Sequence, residues 1–202
     1  MTGPSVVTGA DGIPRCAWAT SAPDYVTYHD DEWGVPVRGE AALFERLTLE
    51  AFQSGLSWLT ILRKRPAFRA AFAGFDPQVV AGFGEDDRAR LLTDVGIVRN
   101  VRKIDAAIRN ARAVLDLRAD GGIDALIWSH VPACHERPRE LAGLAATSPE
   151  SVALSKALKA HGFVHLGPTT VYAAMQACGL VDDHLVGCHR AGGADPRLRA
   201  GR

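Results

Sequence analysis

The sequence lacks a net charge, because its 23 lysine and arginine residues balance its 23 aspartate and glutamate residues. A strong overall field that would attract nucleic acid is therefore absent, although this balance does not exclude a local basic patch. The chain also lacks an apolar run near the roughly 20 residues that a membrane helix needs. Its start, MTGPSVVTGADGIPRC, has neither the charged region nor the apolar region of a signal peptide. We expect neither membrane insertion nor secretion.

Cysteine is scarce, and four cysteines without a secretion signal favour thiols or metal ligands over disulfides. Cys16 and His29 lie near the N-terminus, and His184 and Cys188 lie four residues apart near the C-terminus. Cysteine thiolates and histidine nitrogens are the ligands of closed, structural zinc sites. From spacing alone, two unrelated half-sites are an alternative, and His189 is an alternative ligand.

Helical patterns fill the middle of the chain, and no segment shows the sustained alternation of a strand. We therefore predict an all-α fold. Residues 40–54 have apolar positions at helical spacing, Ser57 and Asp76-Pro77 are helix-start signals, and Ser148-Pro149 is another. The remaining predicted helices are 85–95, 99–117 and 169–178.

Two of these helices, 85–95 and 99–117, are joined by a turn that contains Gly96. Such a turn exposes backbone N–H groups that suit an anion. Arg99, Arg102 and Lys103 begin the second helix, where the helix dipole disfavours cations. This conflict favours a bound phosphate, although a solvated charged face is an equally good interpretation.

Glu50 follows Leu43 by seven residues, and seven steps of 100° bring it within 20° of Leu43 on the apolar face of its helix. A carboxylate in that position is either buried or lines a pocket, and burial without a partner raises its pKa. Perturbed carboxylates often mark active sites. The alternatives are a structural salt bridge or a helix rotated to bury its other face.

Aromatic residues are dense near the N-terminus and again shortly after Glu50. Their faces can sandwich a flat heterocycle or lie against a cation. Ordinary core packing is the alternative for any single ring. The aromatic candidates are Trp18, Tyr25, Tyr28, Trp33 and Trp58.

Taken together, these segments resemble the 3-methyladenine DNA glycosylase I family, the zinc-containing branch of the helix–hairpin–helix glycosylases. The resemblance runs from about Arg15 to Cys188. The matching segments are RCAWATSAPDYVTYHDDEWGVP (15–36), LEAFQSGLSWLTILRKR (49–65), VGIVRNVRKI (95–104), SKALKAHGF (155–163) and MQACGLVDDHLVGC (175–188).

The resemblance implies roles for individual residues. Glu50 would hydrogen-bond the damaged base, with Tyr25 and Tyr28 in the pocket and Trp58 stacked on the base. We add Trp18 and Trp33 as base-pocket candidates and Tyr28 as a second catalytic candidate. Cys16, His29, His184 and Cys188 would bind one structural zinc ion that joins the two ends of the fold.

The DNA contacts implied by the resemblance lie in residues 96–103. They include Gly96, Ile97, Arg99, Arg102 and Lys103. Leu56 is a candidate wedge for the gap left by a flipped base, with core packing as its alternative.

The sequence pattern and the resemblance together give an expected organisation and function. We expect flexible tails at 1–14 and 190–202 around a glycosylase domain at 15–189, with two helical lobes and the helix–hairpin–helix near 85–117. We expect a monomeric, bacterial cytoplasmic enzyme that acts on double-stranded DNA with alkylated bases. It would release 3-methyladenine without a strand-cleaving lyase step. The alternatives are a non-enzymatic DNA-binding module and a zinc hydrolase, although four protein ligands would leave such a zinc no site for water.

Overall fold

A computed structural model describes residues 4–192, which form two compact units. The terminal unit comprises the described parts of Met1–Val37, Val131–Ala146 and Met175–Arg202. The helical unit comprises Arg38–His130 and Thr147–Ala174. The prediction of a flexible tail at 190–202 falls largely on 193–202, which lie outside the described residues.

The terminal unit contains an antiparallel pair of strands, β1 (Val6–Thr8) and β2 (Pro14–Cys16), with Val7 opposite Arg15. The all-α prediction is therefore wrong for this segment, and so is a flexible tail over the whole of 1–14. Strands of three residues are too short to show alternation. The Asp11-Gly12 pair between them is a hairpin signal, and the Asp11 carboxylate accepts a hydrogen bond from the Ile13 N–H at 3.1 Å.

The same unit continues into a 3-10 turn (Ala17–Ser21) and the helix α1 (Pro23–Asp31). Pro23 occupies the first turn of α1, where its missing N–H costs nothing. His29 lies in the last turn and is fully buried. A second 3-10 turn (Leu141–Gly143) also belongs to this unit.

The helical unit follows the sequence prediction closely. Its elements are α2 (Glu40–Gln53), α3 (Trp58–Ala71), a 3-10 turn (Ala73–Phe75), α4 (Pro77–Ala81), α5 (Glu85–Thr93), α6 (Val101–Asp116), a 3-10 turn (Leu117–Asp120), α7 (Gly122–Trp128), α8 (Pro149–Ala160) and the start of α9 (Pro168–Ala177). Ser57, Asp76 and Ser148 cap α3, α4 and α8 through their side chains, as predicted.

The core of the helical unit is built around α2, which is buried on nearly every side. Fully buried phenylalanines surround it, and the ring centroids of Phe52 and Phe68 lie 4.8 Å apart. α6 contributes a buried stripe that includes Ile104, Ala107 and Ala111. This burial fixes α2 as the rigid element that carries Glu50. Among the described residues, no helix is both long enough and apolar enough to cross a membrane.

Candidate functional site

The terminal unit brings Cys16, His29 and Cys188 together, with their ligand atoms within 4.8 Å of one another. Cys188 Sγ lies 3.4 Å from His29 Nε2, and all three residues are buried. Cys16 ends β2, His29 lies in α1, and Cys188 lies in the segment after α9. Three of the four predicted ligands therefore come from distant parts of the sequence to one point.

His184, the fourth predicted ligand, lies beside this group, with its ring centroid 5.0 Å from that of His29. Its Nδ1 lies 2.9 Å from a carboxylate oxygen of Asp182. Its buried Nε2 has no hydrogen-bond partner within the described part of the chain. A buried ring nitrogen without a partner is costly, and a metal ion would satisfy it.

A carboxylate contacts the Nδ1 atom of each of the two histidines. Asp182 contacts His184, and an oxygen of Asp30 lies 2.8 Å from His29 Nδ1. This carboxylate–histidine pairing is typical of metal sites, because it fixes which ring nitrogen faces the ion. Sequence reasoning missed both aspartates, although each lies within two residues of a predicted ligand.

The two thiols shift each other's pKa in opposite directions. The pKa of Cys188 is lowered, first by a hydrogen bond from the Cys16 thiol and also by His29. The pKa of Cys16 is raised, because its proton is held by Cys188 and because the thiol is buried. The N–H groups of Leu185 and Arg190 donate to Cys16 and Cys188, at 3.3 Å and 3.4 Å. The lowered pKa of Cys188 favours its thiolate, which is the form of cysteine that binds metal.

His189, the alternative ligand, has a carboxylate partner. Its Nε2 lies 2.9 Å from Asp30 Oδ1, and Arg15 contacts the same carboxylate at 2.7–3.0 Å. Burial alone would raise the pKa of Asp30, but hydrogen bonds from Arg15, His29 and His189 lower it below its usual range. The geometry therefore favours His184 over His189 as the fourth ligand.

Trp18 and Trp33 pack against the Cys/His cluster. The Trp18 centroid lies 5.3 Å from that of His29, and the Trp33 centroid lies 4.6 Å from that of His184. The two tryptophans also meet edge to face at 5.1 Å. The two tryptophans therefore pack beside the Cys/His cluster, a position that the sequence did not predict.

Tyr25 and Tyr28 lie on α1 in the same unit. Tyr28 is buried, whereas Tyr25 is partly exposed and meets Trp18 edge to face at 5.7 Å. Because the two tyrosines lie three residues apart, they project from neighbouring positions on one side of the helix.

Glu50 lies on α2 in the helical unit and is 6% exposed. Its burial confirms the prediction from its alignment with Leu43. Loss of hydration raises the pKa of Glu50 to about 8, and the positive charge of Arg46 opposes part of that rise. By contrast, the neighbouring buried Glu45 is paired with Arg69 at 2.8 Å. Glu50 is thus the perturbed carboxylate of this helix.

The loop between α2 and α3 carries the next two predicted residues. Leu56 is 39% exposed, so its alternative as a core residue is wrong. Gly55 follows the end of α2 and adopts a φ of 81°, a backbone conformation that favours glycine. Trp58 begins α3 and is partly buried.

The turn between α5 and α6 spans residues 94–100. Ile97 is buried and anchors the turn, while Arg99 and Arg102 are exposed. At Gly96, an added Cβ would lie 2.9 Å from the Ala67 side chain, so this position requires glycine. Within the described residues, the guanidinium groups of Arg99 and Arg102 make no hydrogen bond or ion pair.

Lys103 differs from the sequence expectation. Its ammonium group donates to the backbone carbonyls of Phe52 at 2.8 Å and Ser54 at 2.6 Å. Residues 88–118 contain eight lysine and arginine residues against three aspartates, but most of these cations have partners within the protein. Those with such partners are Arg88, Arg90, Lys103, Arg109, Arg112 and Arg118.

Comparison with known proteins identifies the family of this chain. The model of the methyladenine glycosylase family matches residues 18–191. The chain belongs to the methyladenine glycosylase family. The match includes His29, His184 and Cys188, and it includes Glu50. Cys16 lies two residues before its start.

Several members of the methyladenine glycosylase family are close relatives of this chain. It is 47% identical to DNA-3-methyladenine glycosylase 1 of Escherichia coli strain K12, over 87% of this chain and 96% of that protein. It is 42% identical to DNA-3-methyladenine glycosylase of Haemophilus influenzae, over 86% and 96%. A solved structure of 3-methyladenine DNA glycosylase I from Staphylococcus aureus superposes on this chain with a TM-score of 0.84 at 36% identity. That structure concerns the recognition of 3-methyladenine. That comparison covers 90% of this chain and 98% of the other.

Proposed function

We propose that this chain is a DNA-3-methyladenine glycosylase that acts in base-excision repair. The observation that carries the proposal is Glu50, a buried carboxylate with a raised pKa on the central helix of a methyladenine glycosylase fold. Two curated relatives with this activity in their names support it, as does a structural neighbour that recognises 3-methyladenine.

The chemistry of the reaction suits a pocket that recognises the damaged base and does not need to protonate it. Adenine methylated at N3 in DNA is a cation, so the bond between base and sugar breaks with both electrons going to the base. The base leaves as neutral 3-methyladenine, and water adds its oxygen to the sugar and gives up a proton. The enzyme must extrude the base and hold it, and no strong general acid is needed. We assign no lysine as a nucleophile in the base pocket, so we expect no strand-cleaving lyase step.

Glu50 is proposed to accept a hydrogen bond from the amino group of the base and to attract its positive charge. Charge-assisted hydrogen bonds are stronger than neutral ones, so a methylated base gains more than normal adenine. Trp58 would stack on the base, and Tyr25 and Tyr28 stay assigned to the pocket, with Tyr28 as the second catalytic candidate. Trp18 and Trp33 act through the Cys/His cluster instead, since their rings pack against its histidines.

Cys16, His29, His184 and Cys188 are proposed to bind one zinc ion. This donor set is supported by the close approach of the Cys16, His29 and Cys188 ligand atoms and by the buried His184 Nε2, which has no hydrogen-bond partner within the described residues. Two sulfurs and two nitrogens complete a tetrahedral site, so the ion would stabilise the fold and not activate water.

The α5–turn–α6 segment is proposed to be the helix–hairpin–helix that binds DNA. Arg99 and Arg102 would contact phosphate, with Gly96 and Ile97 shaping the turn and Leu56 entering the duplex. The partner would be double-stranded DNA containing alkylated bases. The monomeric state and the cytoplasmic location implied by the resemblance stay predictions.

The test is release of free base from methylated DNA. Incubation of the purified chain with DNA treated with a methylating agent should release 3-methyladenine and leave the strands intact. Binding without release would favour the non-enzymatic module. Release of other bases, but not of 3-methyladenine, would refute the proposed specificity.

A further inference from the structure

Lys103 faces the interior of the helical unit. It lies in the first turn of α6, yet its Nζ reaches the last carbonyls of another helix, those of Phe52 and Ser54 at the end of α2. The negative end of a helix dipole favours a cation there. Partial burial lowers the pKa of Lys103, which fits a group that is withdrawn from solvent. An ammonium with two carbonyl acceptors is poorly placed to bind phosphate.

Lys64 makes a matching contact from the other side. It projects from α3, and its Nζ donates to the carbonyls of Val95 at 2.9 Å and Gly96 at 3.2 Å. Both carbonyls belong to the turn between α5 and α6. One lysine therefore joins α6 to the α2–α3 loop, and the other joins α3 to the α5–α6 turn.

The α2–α3 loop between these two contacts is itself closed by hydrogen bonds. The Leu56 N–H donates to the Gln53 carbonyl at 2.7 Å, and the Gln53 side-chain amide donates to the Leu56 carbonyl at 2.8 Å. Ser57 then caps α3 by accepting from the Thr60 N–H. Leu56 thus sits at the exposed tip of a compact loop.

We propose that Lys103 and Lys64 are positioning residues that hold the Leu56 loop and the α5–α6 turn in one fixed register. This inference rests on the proposed function, in which the turn grips phosphate and Leu56 enters the duplex. Because the register is fixed, binding of the DNA phosphates by Arg99 and Arg102 places Leu56 at one defined base step. Energy from phosphate binding then supports base extrusion, which requires the base to lose its stacking and pairing.

The two lysines should be replaced by methionine, which keeps a long unbranched side chain and removes the ammonium. Arg99→Met is the matched control on the same turn. For each variant we would measure the affinity for undamaged duplex as a function of salt, and single-turnover release of 3-methyladenine. Release should be compared between a lesion paired with thymine and a lesion opposite an abasic site, which needs less work to extrude.

For Lys103→Met and Lys64→Met we expect at least a tenfold loss of the release rate on the paired lesion, with much of the rate recovered on the unpaired lesion. Their salt dependence should match that of the wild type. Arg99→Met should instead reduce the salt slope by about one and weaken binding to every duplex.

A reduced salt slope for Lys103→Met would overturn the inference, because it would make Lys103 a phosphate contact. Equal losses on paired and unpaired lesions would also overturn it, because they would indicate only a contribution to folding. If Lys103→Met does not fold, the same measurements on Lys64→Met against the wild type decide between these outcomes. Absence of release by the wild-type protein would instead refute the proposed function.

Discussion

Replacing Glu50 by glutamine should stabilise the protein and weaken its recognition of a cationic base. Both effects follow from the same burial. Burial raises the pKa of Glu50 from 4.5 to about 8, so the folded protein holds this proton between those two values while the unfolded chain releases it. Stability therefore falls as pH rises through that range.

The size of the effect follows from the two pKa values. Compared with a carboxyl whose pKa is the same in both states, the raised pKa of Glu50 lowers the free energy of unfolding by about 1 kcal/mol at pH 5.5, about 3 kcal/mol at pH 7 and about 5 kcal/mol at pH 9, at 1.36 kcal/mol per pKa unit. Glutamine resembles the protonated acid and avoids this cost. For a chain of this length, 3 kcal/mol corresponds to a rise in Tm of about 6–12 °C at pH 7.

Thermal unfolding of the wild type and Glu50→Gln at pH 5.5, 7 and 9 tests this reasoning. The stability gain should grow with pH. Glu45→Gln is the matched control, because Glu45 lies on the same helix but is paired with Arg69 at 2.8 Å; its loss should be neutral or destabilising. A Glu50→Gln protein no more stable than the wild type at pH 9 would refute the argument.

The same variant should bind the damaged base more weakly. Loss of a charge-assisted hydrogen bond costs roughly 1.5–3 kcal/mol, or about a 10- to 150-fold change in affinity. A 3,9-dialkylated adeninium is a suitable probe, because its charge does not vary with pH. Since Glu50 is ionised mainly above its pKa of about 8, the difference between wild type and variant should shrink below that pH. Equal affinities at pH 9 would make Glu50 a structural residue only.

Further predictions concern the Cys/His cluster and the proposed DNA contacts. Cys188→Ala should lose the bound zinc, measured by elemental analysis, and should lower Tm; full zinc occupancy with unchanged Tm would contradict the assigned ligand set. His189→Ala should retain one zinc per chain, because its Nε2 contacts Asp30, and loss of the metal would make it a ligand. The double replacement of Arg99 and Arg102 by alanine should reduce the salt slope for DNA binding by about two. Leu56→Ala should leave that slope unchanged and slow the release of 3-methyladenine from paired lesions. The opposite pattern would exchange the two proposed roles.

Local patterns predicted much of the helical unit. The caps at Ser57 and Asp76 and the periodicity of residues 40–54 placed α2, α3 and α4, because capping and amphipathic spacing act over a few residues. The two strands at 6–8 and 14–16 were missed, since their stability comes from pairing with each other and their length shows no period.

The sequence by itself placed Glu50 in line with Leu43 on one helix face, because helical geometry fixes that alignment, and it predicted that this face is buried; the structure confirmed the burial. It also supplied the Cys/His set, although spacing left His184 and His189 as alternatives. Only the tertiary structure gave an observation that favours His184: His189 Nε2 contacts a carboxylate, whereas the buried His184 Nε2 has no hydrogen-bond partner within the described residues. Only the tertiary structure turned Lys103 toward backbone carbonyls. A lysine side chain is long and flexible, so its sequence position allows either a phosphate or a helix end as its partner, and the packing of distant segments decides which one it reaches.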